Sequence, residues 1–206
     1  LLGKTMISPG DKVIVEGPTF LATIQCFRLY GAQLISAPID AHGVQTDKLE
    51  ALIAEHKPKF VYLIPTFGNP SGAMLNLERR KQVLEMAVKH QTLIVEDDPY
   101  GDLYFNDAPP PSLLALSASV PGSRELLVHC GSLSKVLSPG LRVGWMVAPP
   151  ELLGKATMCK QFSDAHTSTF AQATAAQYLK AGRMPATLAK VRAVYAERAM
   201  TMGNAL

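Results

Sequence analysis

The chain has 206 residues, 48% of them hydrophobic and 18% charged, with a formal net charge of +3. Those values belong to a globular chain and exclude a disordered or low-complexity one. No basic run and no stripe of basic and aromatic residues occurs, which argues against a nucleic-acid surface in this segment.

Cys26, Cys130 and Cys159 are odd in number and widely spaced. That pattern points to reduced thiols in a cytoplasmic protein, not to a disulfide framework or a metal site. No apolar run approaches the ~20 residues needed to span a bilayer. The opening LLGKTMISPGD carries no signal-peptide pattern and no initiator Met, and it reads as the last turn of a helix already under way. The expectation is a piece of a longer protein.

In chain order, short apolar runs bounded by turn residues predict strands at 12–16 (KVIVE), 33–37 (QLISA), 60–64 (FVYLI), 92–96 (TLIVE), 126–130 (LLVHC) and 142–147 (RVGWMV). Most are continuously apolar, as in strands covered on both faces. Between them, 20–30 predicts a helix with Leu21, Ile24 and Phe27 on one face, stopping before Gly31. Residues 47–56 open with Asp47 and Glu50 in capping-box positions. Residues 76–90 offer Asn76 as N-cap and Leu77, Val83, Leu84 and Ala87 as an apolar stripe. A Pro-rich connection fills 108–119, and helices follow at 150–161, 169–181 and 185–206, the last with Leu188, Val191, Val194 and Tyr195 on one face. Strand and helix alternate, then helices take over: an α/β fold of three layers, α-β-α, with a mostly parallel sheet. One antiparallel strand is expected, because Arg142 begins the last strand and reaches the ligand edge only if that strand is reversed.

In such sheets ligands bind beyond the carboxyl ends of the strands. After KVIVE comes GPTF with Phe20; after FVYLI comes PTFGNPSG with Asn69; after TLIVE come Asp97, Pro99 and Tyr100; after LLVHC comes GSLSKVLSPGLR with Lys135. Each alone has a plain structural reading. Lys135 and Arg142 suit solvent, Asp97 before Pro99 suits turn chemistry, Phe20 suits a core, and Ser132 and Ser134 can bond their own backbone. Their joint placement at consecutive strand ends is what those readings explain poorly.

The motifs Asn69-Pro70-Ser71-Gly72, Asp97-Asp98-Pro99-Tyr100, Ser132-Leu133-Ser134-Lys135 and Gly140-Leu141-Arg142 resemble, in order, the class I/II pyridoxal-phosphate-dependent aminotransferases of fold type I. PTFGNPSG and EDDPYGDLYF are closest in flavour to the 2-aminoadipate, kynurenine and aromatic or branched-chain enzymes. The effector domains of MocR-type regulators are similar too.

The resemblance implies that Lys135 is the lysine bound to pyridoxal phosphate as an aldimine. Its amine, with a pKa of about 10.4 when free, would need a depressed value to act as nucleophile and proton carrier. It implies that Asp97 pairs with the pyridinium nitrogen and that Tyr100 and Asn69 bond the phenolic oxygen. Ser132, Ser134 and Arg142 would anchor the phosphate, Arg142 by bidentate contact. Phe20 would stack on the ring, Pro99 would line the site, and the Asn69–Pro70 bond would be cis.

The implied activity is transfer of an amino group between an L-amino acid and a 2-oxoacid by a dimeric cytoplasmic enzyme. Residues 1–183 would form the cofactor-binding domain without its phosphate loop, and 184–206 a helix leading to a small domain that carries the substrate-carboxylate arginine. The segment alone is expected to lack activity. Two alternatives stay open: the ligand-sensing domain of a MocR-type regulator, and a lyase or decarboxylase of the same fold. The amino acid and oxoacid are not readable.

Overall fold

The computed structural model describes residues 1–206. It divides into two compact units. Unit 1 comprises Leu1–Asp98, Pro110–Cys130 and Met146–Ala165; unit 2 comprises Pro99–Pro109, Gly131–Trp145 and His166–Leu206.

The strands are β1 (Lys12–Gly17), β2 (Gln33–Asp40), β3 (Gly43–Val44), β4 (Phe60–Leu63), β5 (Ile94–Asp98), β6 (Leu127–Ser132) and β7 (Gly144–Val147), in the spatial order β3-β2-β1-β4-β5-β6-β7. Within unit 1, β1 pairs in parallel with β2 and β4, and β4 with β5. The register sets Ile14 beside Val61 and Val61 beside Ile94, so one face carries a continuous apolar row. Because side chains alternate along a strand, Val15, Tyr62 and Val95 fall on the other face.

The Ile14 face packs on α3 (Thr46–His56), α4 (Leu77–His90) and α5 (Leu113–Leu116) through Leu49, Ile53, Val83, Leu84, Ala87 and Leu113. The Tyr62 face meets α2 (Leu21–Leu29), where the Phe27 ring stands edge-on to Phe60 at 5.2 Å and to Tyr62 at 5.6 Å. Helices on both faces account for the continuously apolar strands. The short α1 (Leu2–Met6) and the longer α6 (Pro150–Asp164) complete the unit, tied by a hydrogen bond from Lys4 to Ser163.

Several expectations need correction. Of the apolar face of α2, Phe27 is buried and Ile24 half-buried, but Leu21 is 64% exposed and Thr23 takes the inward place, bonding the Tyr62 hydroxyl. Asp47 and Glu50 form no capping box. The N-cap is Gln45 without a side-chain bond, and Glu50 instead pairs with Lys89 and His90 of α4. Asn76 does cap α4, accepting from the Arg79 N–H at 2.9 Å, but Leu77 at the start of the stripe is 43% exposed. β2 runs on to Asp40 and turns back antiparallel into β3, a hairpin without the usual signature. It is held by Arg79, whose two terminal nitrogens donate to Asp40 at 2.7 and 2.8 Å.

In unit 2, α7 (Thr169–Lys180) and α8 (Met184–Ala205) enclose a small core of Leu133, Val136 and Ala175 with Leu103, Leu141 and Leu188. Leu188 packs there, whereas Val194 and Tyr195 are exposed. The Leu133 N–H donates to the Val143 carbonyl at 3.0 Å, and Gly144 lies against Gly131 and Ser132. That falling register makes β7 antiparallel to β6. Arg142 does not begin the strand: it sits two residues earlier, at φ 54, closing a 3₁₀ turn over Pro139–Leu141.

Candidate active site

In unit 1 the carboxyl ends of three adjacent parallel strands converge. β1 ends at Gly17 and leads through Pro18 and Thr19 to Phe20, the N-cap of α2, whose ring is 40% exposed. The bonds Gly17–Pro18 and Asn69–Pro70 are both cis, the second as expected. Thr19 Oγ1 beside Phe20 is buried without a hydrogen-bond partner. β4 ends at Leu63 and leads to Asn69, which is half-buried. β5 ends in Glu96, Asp97 and Asp98.

Consecutive strand residues point to opposite faces, and that separates Glu96 from Asp97. Glu96 goes to the α5 face, where it is fully buried. Its oxygens accept from the N–H groups of Leu113 at 2.7 Å and Leu114 at 3.1 Å, and from His129 Nδ1 at 2.8 Å. Burial pulls the His129 pKa down, but the bonded Glu96 carboxylate outweighs it and leaves the value raised. Asp97 goes to the α2 face, toward Tyr62. The phenol donates to Asp97 Oδ2 at 2.5 Å, and Oδ1 accepts no hydrogen bond from the chain. Burial lifts the Asp97 pKa above the usual carboxylate range, while the Tyr62 hydrogen bond and the His129 charge oppose that shift.

The Asn69 loop is held from behind by Arg80, a fully buried side chain of α4. Its guanidinium donates to the carbonyls of Leu75 at 2.8 Å, Pro65 at 2.9 Å and Pro111 at 3.3 Å, and to the Thr66 hydroxyl at 2.8 Å. Glu16, at the end of β1, caps the end of β4 by accepting from the Ile64 N–H at 2.8 Å. Burial raises its pKa to about 7.

In unit 2, Pro99 and Tyr100 are half-buried, and the Tyr100 carbonyl accepts from the Leu103 N–H. The loop after β6 carries Ser132, Ser134 and Lys135. Ser132 Oγ accepts from the Ser134 N–H at 3.1 Å, so its local structural role is real. Lys135 is exposed, and its ammonium makes no hydrogen bond or ion pair. Arg142 is exposed and donates to the Pro139 carbonyl at 3.3 Å, which holds the guanidinium on the same turn. Nearby, Arg192 of α8 stacks 3.7 Å over the Tyr104 ring and donates to the Asp102 carbonyl.

Unit 1 therefore offers an open aromatic face, an amide, and a carboxylate with one oxygen uncommitted, a donor set that fits a planar, protonated aza-aromatic ring. Unit 2 offers a lysine with an arginine and two hydroxyls, a set that fits a phosphorylated carbonyl compound. Tyr62, Thr23, Glu96, His129 and Arg80 escape the strand-end reading. Period-two alternation puts Tyr62 and Asp97 on one face only once β4 and β5 are known to be neighbours in register.

The family model for aminotransferase class I and II matches residues 1–206. The chain is 42% identical to the 2-aminoadipate transaminase of Thermus thermophilus, over all of this chain and 51% of that protein. It superposes on an alpha-aminoadipate aminotransferase of Thermus thermophilus, solved with N-(5'-phosphopyridoxyl)-L-leucine, with a TM-score of 0.92 and 41% identity, covering all of this chain and 52% of the other. It is also 32% identical to an uncharacterized HTH-type transcriptional regulator of Bacillus subtilis, over 96% of this chain and 40% of that protein. The chain spans about half the length of the curated relatives it matches.

Proposed function

The chain belongs to the class I and II aminotransferases, and on that premise we propose that the whole protein is a pyridoxal-phosphate-dependent transaminase. It moves an amino group between an L-amino acid and a 2-oxoacid, with 2-aminoadipate the first substrate to assay, after the relative at 42% identity. The observation that carries the reading is Asp97: a half-buried strand-end carboxylate with Oδ2 held by Tyr62 and Oδ1 left to take a charged donor.

When bound, pyridoxal phosphate supplies an electron sink for charge developing at the substrate Cα. Asp97 holds the ring nitrogen in its charged form, and Phe20 covers a ring face. Asn69 and the Tyr100 hydroxyl fix the phenolic oxygen. Ser132, Ser134 and Arg142 hold the phosphate, and the guanidinium suits it because it meets two oxygens at once. Lys135 would hold the carbonyl end of the cofactor and carry the proton at the substrate Cα. Pro99 lines the site between Asp97 and Tyr100 in sequence. The helix α8 leads toward a further, smaller domain, and the whole protein is a homodimer in the cytoplasm. Free Cys26, Cys130 and Cys159 support that compartment, and no helix is long and apolar enough to cross a membrane.

The test is the full-length protein with added pyridoxal phosphate. A visible cofactor band, and amino transfer from 2-aminoadipate to a 2-oxoacid, are expected. Lys135→Ala lowers turnover by roughly 10²–10⁴-fold or more. Absence of both band and turnover overturns the reading. Light scattering on the same sample checks the dimer. The similarity to an HTH-type regulator favours one second reading, a ligand-sensing domain that keeps the cofactor but not the turnover. A band without amino transfer, together with a DNA gel shift, selects it.

A further inference from the structure

Three residues of α2 and its cap fall on one face at helical spacing: Phe20, Thr23 and Phe27. The last two both touch Tyr62. Thr23 Oγ1 donates to the Tyr62 oxygen at 3.2 Å, and the Phe27 ring stands edge-on to the Tyr62 ring at 5.6 Å. A phenol has one proton. With Thr23 supplying a hydrogen bond to its oxygen, Tyr62 directs its own proton to Asp97 Oδ2 at 2.5 Å.

We propose that Tyr62 is a positioning residue for the cofactor site, with Thr23 orienting its hydroxyl so that Asp97 stays ionised and turns Oδ1 toward the ring nitrogen. The inference rests on the transaminase reading, and it assigns work to side chains that the strand-end motifs leave out. Without this donor, Asp97 is a half-buried carboxylate whose surroundings favour the neutral acid. A neutral acid holds a pyridinium poorly.

The other groups facing Asp97 do not replace Tyr62. From β6, Cys130 is a neutral thiol, pushed by burial up to about 12. His129, whose Nδ1 is bonded to Glu96, acts on Asp97 by charge and makes no hydrogen bond to it. The neighbours on β5, Glu96 and Asp98, are themselves acids. The phenol keeps its proton at every working pH, since burial and the nearby carboxylate push its pKa up.

The experiment uses the full-length protein, first without cofactor and then with ring-¹⁵N pyridoxal phosphate. In the apoprotein the Asp97 carboxyl is titrated by ¹³C NMR in wild type, in Tyr62→Phe and with 3-fluorotyrosine placed at position 62. Removing the donor raises the Asp97 midpoint by about one pH unit, tenfold in its ionisation constant. Fluorination, which strengthens the donor without changing its shape, moves the midpoint the other way. In the loaded protein the ring nitrogen loses its proton at lower pH in Tyr62→Phe, and kcat falls more than KM.

Equal Asp97 midpoints in all three forms overturn the proposal. If Tyr62→Phe fails to fold, the fluorinated protein alone decides, by moving the midpoint down or leaving it in place. If the protein binds no cofactor, the transaminase reading falls, and the apoprotein titration still reports on Tyr62.

Discussion

At the scale of single residues, Arg80 is the clearest case of a charge spent on structure. Removing a buried, hydrogen-bonded charge leaves its acceptors unsatisfied, which is costlier than the net value of the bonds suggests. Arg80→Met preserves volume but strands the Leu75 carbonyl and the Thr66 hydroxyl, while Pro65 keeps the Leu75 N–H. We expect a loss of about 3 kcal/mol in urea unfolding. A loss below about 1 kcal/mol would mean that water replaces the guanidinium. Sequence reading overlooks Arg80 because an arginine inside a charged helix looks solvated. Only the packing of α4 on the loop before Asn69 buries it.

At the scale of elements, the β6–β7 hairpin depends on a missing side chain. A Cβ on Gly131 would lie 2.3 Å from the Trp145 indole, far inside contact distance. Trp145 is half exposed and is the single tryptophan, so it has room to move and reports its own movement. We expect Gly131→Ala to displace the indole and shift its fluorescence to the red, and to lower stability by about 1 kcal/mol, at the low end of overpacking costs. An unchanged emission spectrum would contradict this.

The element-level expectations divide by physical cause. β1, β4, β5 and the N-cap at Asn76 are legible because apolar runs and cap chemistry are local signals. The inner face of α2 is not. Leu21 is the more hydrophobic choice, but the helix is rotated by what it meets, and Tyr62 accepts a hydroxyl there. β3 escapes because a two-residue strand has no pattern of its own.

At the scale of the whole molecule, three groups tilt stability in one direction with pH. Glu16 and Asp97 have folded pKa values above their unfolded ones. The folded state therefore binds more protons, and stability falls as pH rises from the unfolded toward the folded pKa. His129 is raised as well, so its contribution is present below about 6.5 and is lost as pH climbs through the folded value. Asp40, lowered to about 2 by its hydrogen bonds to Arg79, acts oppositely: its contribution is lost as pH falls below the ordinary aspartate range. Denaturation at pH 5, 6, 7 and 8 should therefore show declining stability. Glu16 supplies the part between about 4.5 and 7, with a slope of roughly 1.4 kcal/mol for each pH unit. Glu16→Gln should flatten that part of the curve. A slope identical to wild type would show that Glu16 ionises normally.

The α/β class, most of the strands and helices, and the family could be read from the chain alone, because hydrophobic period, turn chemistry and short motifs are carried by neighbours along it. What each carboxylate faces was settled only in three dimensions. Glu96 and Asp97 are adjacent acids that look interchangeable, yet one is tied into a buried ion pair with His129 and the other is presented to Tyr62. Strand alternation sends them apart, and the register of β5 against β4 chooses their partners, a choice between residues 35 positions apart that no local signal encodes.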